Sequence, residues 1–580
     1  MIFVSQISFM SRPNHDAESR VGIAPKSTQN LHAKIPNTRK TRTSAMTAMA
    51  PVEEADRSAT TATVVDPLND HNNRNNSNNS SISNDDYGAL SAEQTQISEL
   101  DIEEAIERLG IGPYQWVMAF IAGLCLSCDG IEILLLSFLT VVLRAQWNLT
   151  ASEGAAITSC IFAGSFLGTI LQGPLGDSYG RRPVFLSASS LIAGFGLATA
   201  FAQNLTQLIV LRFFVGVGLG GCFVPFDAVS EVLPVEQRGK VLMYVQFLWA
   251  FGTASVPVFA YWTLPQGNWR LFVVVCATPC VVATLLGVWL VPESPRWLID
   301  QNKANEALRI LRKAAKWNGK DPDTIFPEGT RLVLTRAADI ELPLNDKDGD
   351  IVGVGTTTNG EFQNCATLFC TTEWLGTTLK LCINGFGEGF LYYAGVLVIT
   401  RVFSTSTSHG TGYQFNFAAI FTSSTAELVG TFVVIAAVDT VGRIQTQAWS
   451  WIVDGIAMAS LCMIAETNHL QNETGDSTTY LLVALAYVVR ICGMTGSSAL
   501  WISTAEIMTT SVRTTGHSVV YATGRIGGFL CPLVVKTTVP LSIVALVVSL
   551  FGFGTAVSVW SLPETTGKAL GKVVIDAATN

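Results

Sequence analysis

GPLGDSYGRRP, residues 173–183, and VDTVGRIQ, residues 438–445, decide the fold. Each is a short polar link between two apolar stretches long enough to cross a bilayer, which takes about 20 residues. Their aspartates, Asp177 and Asp439, stand 262 residues apart. Two further pairs of motifs repeat nearly that offset. SEVLPVEQRG (230–239) and AEIMTTSVRTTG (505–516) each set a glutamate seven residues before an arginine, Glu231–Arg238 and Glu506–Arg513, offset by 275. PESPRWL (292–298) and PETTGKAL (563–570) are offset by 271. Three paired motifs at almost one spacing mark a duplicated unit.

Working outward from these links, apolar runs fall near 116–143, 155–173, 184–202, 207–224, 241–262 and 270–291, then near 377–400, 415–437, 447–465, 480–502, 517–535 and 541–561. That is six plus six. The fold class is an all-α polytopic membrane protein, twelve transmembrane helices in two pseudo-symmetric six-helix bundles over 114–298 and 376–566. Residues 1–113 read as a cytosolic disordered tail, with the tract HNNRNNSNNSSISNDD at 71–86 too polar to offset its ordering entropy. Near 97–109 the spacing of Ile97, Leu100, Ile102, Ile106 and Leu109 predicts a short amphipathic helix, with Asp101 as a cap. Residues 299–375 form a cytosolic central loop. Within it, NKANEALRILRKAAKWNGK offers an apolar face of Leu308, Ile310, Leu311 and Ala315, suited to a membrane surface or to a solvated loop helix. Residues 567–580 read as a cytosolic tail. The opening MIFVSQISFM is too short and lacks the basic flank of a signal peptide, and seven Lys/Arg against two acids in 1–50 only faintly resemble a transit peptide.

The 580 residues are 49% hydrophobic and 14% charged, and the mean hydropathy is +0.37 despite the polar first hundred residues. A soluble domain carries about 25% charge, so an ordinary soluble enzyme and a secreted disulfide scaffold are excluded. A net charge of −9 gives no basic footprint for nucleic acid. Cys125, Cys128, Cys160, Cys222, Cys276, Cys280, Cys462, Cys492 and Cys531 lie in apolar runs and read as packing residues.

Arg181, Arg182, Arg238, Lys240, Arg296, Lys303, Arg309, Arg312, Lys313 and Lys316 all fall on one side of this topology. The other side holds only Arg144, Arg270, Arg401 and Lys536. Both termini and the central loop are therefore expected in the cytosol, with the sequons at Asn148, Asn204 and Asn472 opposite.

The motifs resemble the major facilitator superfamily over about residues 95–570. G-x-L-x-D-x-x-G-R-R is complete at Gly173, Leu175, Asp177, Gly180, Arg181 and Arg182; RFFVGVGLGG (212–221) and PESPRWL are similar to further family signatures. FLYYAGVLVITRVF (390–403) and SSTAELVGTFVVIAAVDTVGR (423–443) resemble the synaptic-vesicle-related branch, and Asp129-Gly130-x-Glu132 the aromatic-acid/proton symporters. The second half departs from the pattern, with Ala505 and Thr509 in place of prolines and Ile444-Gln445 in place of basic residues. The resemblance implies alternating access, proton coupling at Asp129 and Glu132, and a gating network that stabilises the outward-open state.

An ionisable side chain in a membrane costs about 2.5–3.5 kcal/mol unless paired or hydrated. Asp129 and Glu132 share one face of span 1, where two close acids raise each other's proton affinity; a helix-packing hydrogen bond is the plainer alternative. Arg212, Arg490 and Arg525 either clamp a substrate carboxylate or serve as fixed partners of Glu388, Glu427 or Asp454. Glu388 and Tyr392, one turn apart in span 7, read as cavity wall, while Tyr393 and Trp501 fit either cavity or interface. Gly173, Asp177, Gly180, Arg181, Arg182, Asp227, Glu231 and Arg238 read as a gate, mirrored by Asp439, Arg443, Glu506 and Arg513.

Gly216-x-Gly218-x-x-Gly221 lies inside an apolar span with no strand before it, so helix packing explains it better than a dinucleotide site. Asp346-x-Asp348-x-Asp350 lacks the Gly and Glu of a calcium loop. No metal site, cofactor or nucleophile–base pair is expected. The function expected is a secondary transporter of a small organic solute, working as a monomer in a plasma or vesicle membrane, with proton-coupled symport of an organic anion favoured. Organic cations or sugars are the alternative substrates, and a non-transporting receptor on the same scaffold is the alternative class.

Overall fold

A computed structural model describes residues 99–333, 368–370, 372–406, 413–471, 476–508 and 513–566. The readings for 1–98, for most of the central loop including Asp346–Asp350, for the Asn472 sequon and for 567–580 lie outside these residues.

The chain enters as a short strand, β1 (Glu99–Asp101), and helix α1 (Ile102–Leu109). Asp101 caps this helix by accepting from the Glu103 amide at 3.0 Å. The predicted helix therefore starts five residues later than its periodicity suggests, because β1 pairs in parallel with β2 (Arg331–Val333). The first half follows as α2 (Pro113–Gln146), α3 (Ala151–Tyr179), α4 (Arg181–Thr199), α5 (Leu205–Leu219), α6 (Val224–Ser230), α7 (Val235–Thr263) and α8 (Trp269–Leu290). Then come α9 (Pro295–Asp300), α10 (Ala304–Trp317) and α11 (Pro322–Ile325). The second half comprises α12 (Thr372–Val402), a hairpin of β3 (Ser404–Ser406) and β4 (Tyr413–Phe415), then α13 (Phe417–Ala437), α14 (Arg443–Gln471), α15 (Asp476–Ile507), α16 (Arg513–Val535) and α17 (Leu541–Trp560).

Among the described residues, helix covers each of the twelve predicted spans. Eleven of these helical stretches, with α5 and α6 taken together as Leu205–Ser230, are long and apolar enough to cross a membrane by length and composition. The twelfth, α4, starts with Arg181 and Arg182 and carries Ser187, Ser189 and Ser190, which dilute its hydropathy. It is packed between α5 and α8. The predicted fourth span, 207–224, is instead two helices: α5 ends at Leu219, and a turn through Gly220–Phe223 leads to α6. The break sits where α5 packs tightly against α3. A Cβ on Gly216 would strike the Ile161 carbonyl, and one on Gly221 the Gln172 side chain of α3. The glycine pattern therefore serves helix packing, as lipid-embedded interfaces require.

The α10 face also shifts. Ala307, Leu311, Ala314 and Ala315 are its buried residues, whereas Leu308 and Ile310 are only partly covered. It packs onto α2, α1 and β2 rather than facing lipid. Lys320 donates to the last carbonyls of α1, and Asn318 accepts from the Tyr114 amide at 3.0 Å. The two halves meet chiefly through α3 on α16 and α7 on α13. Eight of the cysteines are buried, and those described are all free thiols.

Candidate functional site

Between the halves lies a cavity with about 520 Å³ of atom-free space. Its wall takes Asp129 from α2, Trp249 from α7, Glu388, Tyr392 and Tyr393 from α12, Ser497 and Trp501 from α15, and Tyr521 and Arg525 from α16. Helical spacing puts these side chains there. Glu388 and Tyr392, Ser497 and Trp501, and Tyr521 and Arg525 are each four apart and share a face.

Asp129 Oδ2 meets Arg525 Nη2 at 2.9 Å, an ion pair between the two halves with both side chains 2% exposed. Arg525 Nη1 donates to the Tyr393 hydroxyl at 2.7 Å, and the guanidinium lies 4.4 Å over the Tyr521 ring. Glu132, although one turn from Asp129, turns away into its own half and binds Arg212 of α5. The two acids therefore do not face each other as a pair, and each has its own arginine. Arg490 is likewise tied inside its half, to Glu427 at 2.9 Å. Glu427 accepts from the Tyr392 hydroxyl at 2.7 Å, which in turn accepts from Trp249 Nε1 at 3.3 Å. So Glu132, Arg212 and Arg490 are not on the cavity wall, while Asp129, Glu388, Tyr392 and Arg525 are.

Glu388 accepts from Ser497 Oγ at 2.8 Å and has no ion pair among the described residues. The cavity wall carries two carboxylates and one guanidinium, ringed by aromatic side chains. Phe223 closes one end against Trp501 and Tyr521, at 5.1 and 4.6 Å between ring centroids. Trp501 and Tyr393 thus belong to the cavity. Sequence reading had no reason to single out Phe223, Trp249, Ser497 or Tyr521; the four-residue stripes just described are the signal that finds the latter two.

At the Asp177 end, the two halves build the same network twice. Arg181 binds Asp177 and, at 3.4 Å, Glu231; Glu231 accepts from Ser294. Glu293 accepts from the Arg181 and Arg182 amides at 2.7 and 3.2 Å. In the second half, Arg443 binds Asp439 at 2.9 Å and Glu506 at 3.1 Å, and Glu506 accepts from Thr565 at 2.5 Å. Glu564 accepts from the Arg443 and Ile444 amides at 2.9 and 3.1 Å. The sequence departure at Ile444-Gln445 leaves this intact, because the bond at position 444 comes from the backbone. Burial pulls the Glu564 carboxyl up, but Thr566 and the two amides outweigh it and hold it below the ordinary glutamate range.

The remaining gate residues divide. Asp227 makes no ion pair among the described residues. Arg238 donates to the Leu233 carbonyl and lies 3.9 Å from Glu103 of α1, which binds Arg296 at 2.7 Å. Gly173 faces Ser518 across the halves. The Arg513 side chain lies outside the described residues.

Comparison with known proteins gives a consistent picture. The family described as "Sugar (and other) transporter" matches residues 134–576. The chain is 31% identical to the organic cation/carnitine transporter 7 of Arabidopsis thaliana over 75% of this chain and 87% of that one. It is 26% identical to the synaptic vesicle 2-related protein of Xenopus laevis, over 81% and 82%. It is 25% identical to the niacin transporter NiaP of Acinetobacter baylyi, over 75% and 90%. The inward-open xylose transporter XylE of E. coli shares the fold at a TM-score of 0.56 and 18% identity, covering 80% of this chain and 98% of that one.

Proposed function

Because the chain belongs to the sugar (and other) transporter family of the major facilitator superfamily, and so is a multi-pass membrane transporter of small organic solutes rather than an enzyme, we propose that it is a proton-coupled symporter of a small organic carboxylate. The buried Asp129–Arg525 pair carries this reading. It spans the two halves, on the cavity wall, where alternating access requires contacts that form and break. Protonating Asp129 removes its charge and leaves the Arg525 guanidinium to take a carboxylate in its place. The substrate then restores neutrality and lets the halves close around it. Glu132–Arg212 and Arg490–Glu427 stay within their halves and keep each one rigid.

Glu388 and the aromatic ring of side chains favour a second group on the same substrate. A cationic or aromatic nitrogen would be held by the carboxylate and by ring faces, worth about 0.5–2 kcal/mol each. Relatives named for organic cations, carnitine and niacin fit such a molecule. The Asp177–Arg181–Glu231 network and its counterpart Asp439–Arg443–Glu506 in the second half support a transporter over a receptor. On this reading the protein works as a monomer in a plasma or vesicle membrane, with both termini in the cytosol.

Uptake into proteoliposomes of labelled nicotinate, carnitine, a tetraalkylammonium and xylose, with and without an inward-acid gradient, tests the proposal. Gradient-stimulated uptake of a carboxylate is the expected result. Gradient-independent uptake, or uptake of the sugar alone, would refute it.

A further inference from the structure

A second cavity, with about 580 Å³ of atom-free space, opens between the halves at the end opposite Asp177, walled by α2, α3, α12 and α16. Its polar lining is cationic and hydroxylic: Arg144, Arg401, Ser137, Thr140, Thr158 and Thr537 are among the residues that line it, and among the described residues no carboxylate does. Two acids near this end, Glu153 in α3 and Glu466 in α14, are engaged by other groups. Glu153 accepts from the Thr150 amide and hydroxyl at 2.8 Å each, and Glu466 accepts from the Ser542 amide at 2.5 Å.

The two arginines differ in what they have left to give. Arg401 is occupied by carbonyls at the end of α16 and in the link that follows, donating to Val535 and Val539 at 3.0 and 2.8 Å. Among the described residues the Arg144 side chain makes one hydrogen bond, from Nη1 to the Thr537 hydroxyl at 2.6 Å. Its Nε is buried without a partner among the described residues. The free Nε–Nη2 edge of a guanidinium is the fork that matches a carboxylate with two parallel hydrogen bonds. Thr140 and Thr158, bonded to each other at 3.2 Å, supply hydroxyls to the same space.

The Arg144–Thr537 bond also joins the first half to the second. We propose that this cavity is an entry site for the transported carboxylate: the substrate binds the Arg144 fork, draws the guanidinium from Thr537, and so loosens the bridge that closes this end. The inference rests on the carboxylate-transporter reading but concerns a different cavity and different residues.

The test uses the full-length protein. In proteoliposomes, Arg144→Gln raises KM for nicotinate about tenfold with kcat within twofold, and Arg144→Lys, which keeps charge but not the fork, falls between. Thr537→Val frees the guanidinium and lowers KM. Equal changes for nicotinate and nicotinamide, or none for either, overturn the proposal. Binding of labelled nicotinate to purified Arg525→Gln protein gives a readout without transport. Weak residual binding that disappears on adding Arg144→Gln supports the entry site. Absence of residual binding, or binding indifferent to Arg144, overturns it. The central-cavity reading fails separately, if Arg525→Gln transports as well as the parent.

Discussion

Gly180 and Gly442 hold the same place in the two halves, at φ of +105° and +108°, each with a glutamate carboxylate packed where a side chain would project. The carboxylates are Glu293 and Glu564. Only glycine adopts such a backbone without penalty, and only glycine leaves the carboxylate room to receive two successive amides.

Gly442→Ala therefore carries two costs, about 1–2 kcal/mol of backbone strain and displacement of Glu564. A lower melting temperature in detergent is expected. Gly554→Ala, with nothing within 4 Å of the new methyl, is the control and leaves melting unchanged or slightly raised. Equal melting of the two variants would contradict the assignment.

The two gates are alike in bonding but not in exposure. The Asp177 side chain is 39% exposed and Asp439 77%, so the second pair is more screened by solvent. Asp177→Asn is expected to slow turnover several-fold with little change in KM, and Asp439→Asn to do so less. A defect confined to KM in either would remove that residue from the gate.

Asp129→Asn is expected to abolish accumulation driven by a pH gradient while leaving solute exchange across the membrane. The asparagine keeps the volume, and Tyr393 still holds Arg525. Size-exclusion and melting profiles establish folding. Gradient-driven uptake at the parent rate would take Asp129 out of the coupling step.

Glu388→Gln separates the two ends of the substrate. Affinity for a solute with a cationic nitrogen is expected to fall roughly tenfold, about 1.4 kcal/mol, while a purely anionic analogue binds as well or better. A uniform loss for both would make Glu388 structural.

Glu564, held below the ordinary glutamate range, contributes stability that is fully present above the unfolded pKa of about 4.3 and is lost as pH falls through its lowered folded value. Glu564→Gln is expected to flatten the acid limb of stability against pH, below about pH 4. An acid limb identical to the parent's would show that other groups govern it.

The architecture was legible because duplication leaves a spacing, and spacing survives where individual residues change. Apolar runs located the spans for a related reason, since every backbone group in lipid must be bonded within its own helix. The hydropathy of α4 is weaker than that of the other spans, yet its apolar run at 184–202 still marks it, directly after the motif at 173–183. What sequence order does not carry is which of two faces across a bundle an ion turns to. Asp129 and Glu132 share a helical face, yet a 3-residue step sends one to Arg525 and the other to Arg212. Glu427, the partner of Arg490, is one of the three acids the sequence offers the arginines, but Asp129 and Glu132, which hold Arg525 and Arg212, lie outside that set, because the choice depends on how the helices pack. Nothing in the sequence singles out Trp249 in α7 or Phe223 in the turn before α6, because an aromatic residue within an apolar run has no composition signal that distinguishes cavity from lipid.

The parallel pairing of Glu99–Asp101 with Arg331–Val333 has a consequence for the order in which the chain is made. The second strand leaves the ribosome only after the first six spans have been synthesised and before α12 begins. The cap that joins α1, α10 and Lys320 is thus completed between the two halves in time. The first bundle can be fastened at one end, with its own ion pair Glu132–Arg212 in place, before the partner that supplies Arg525 exists.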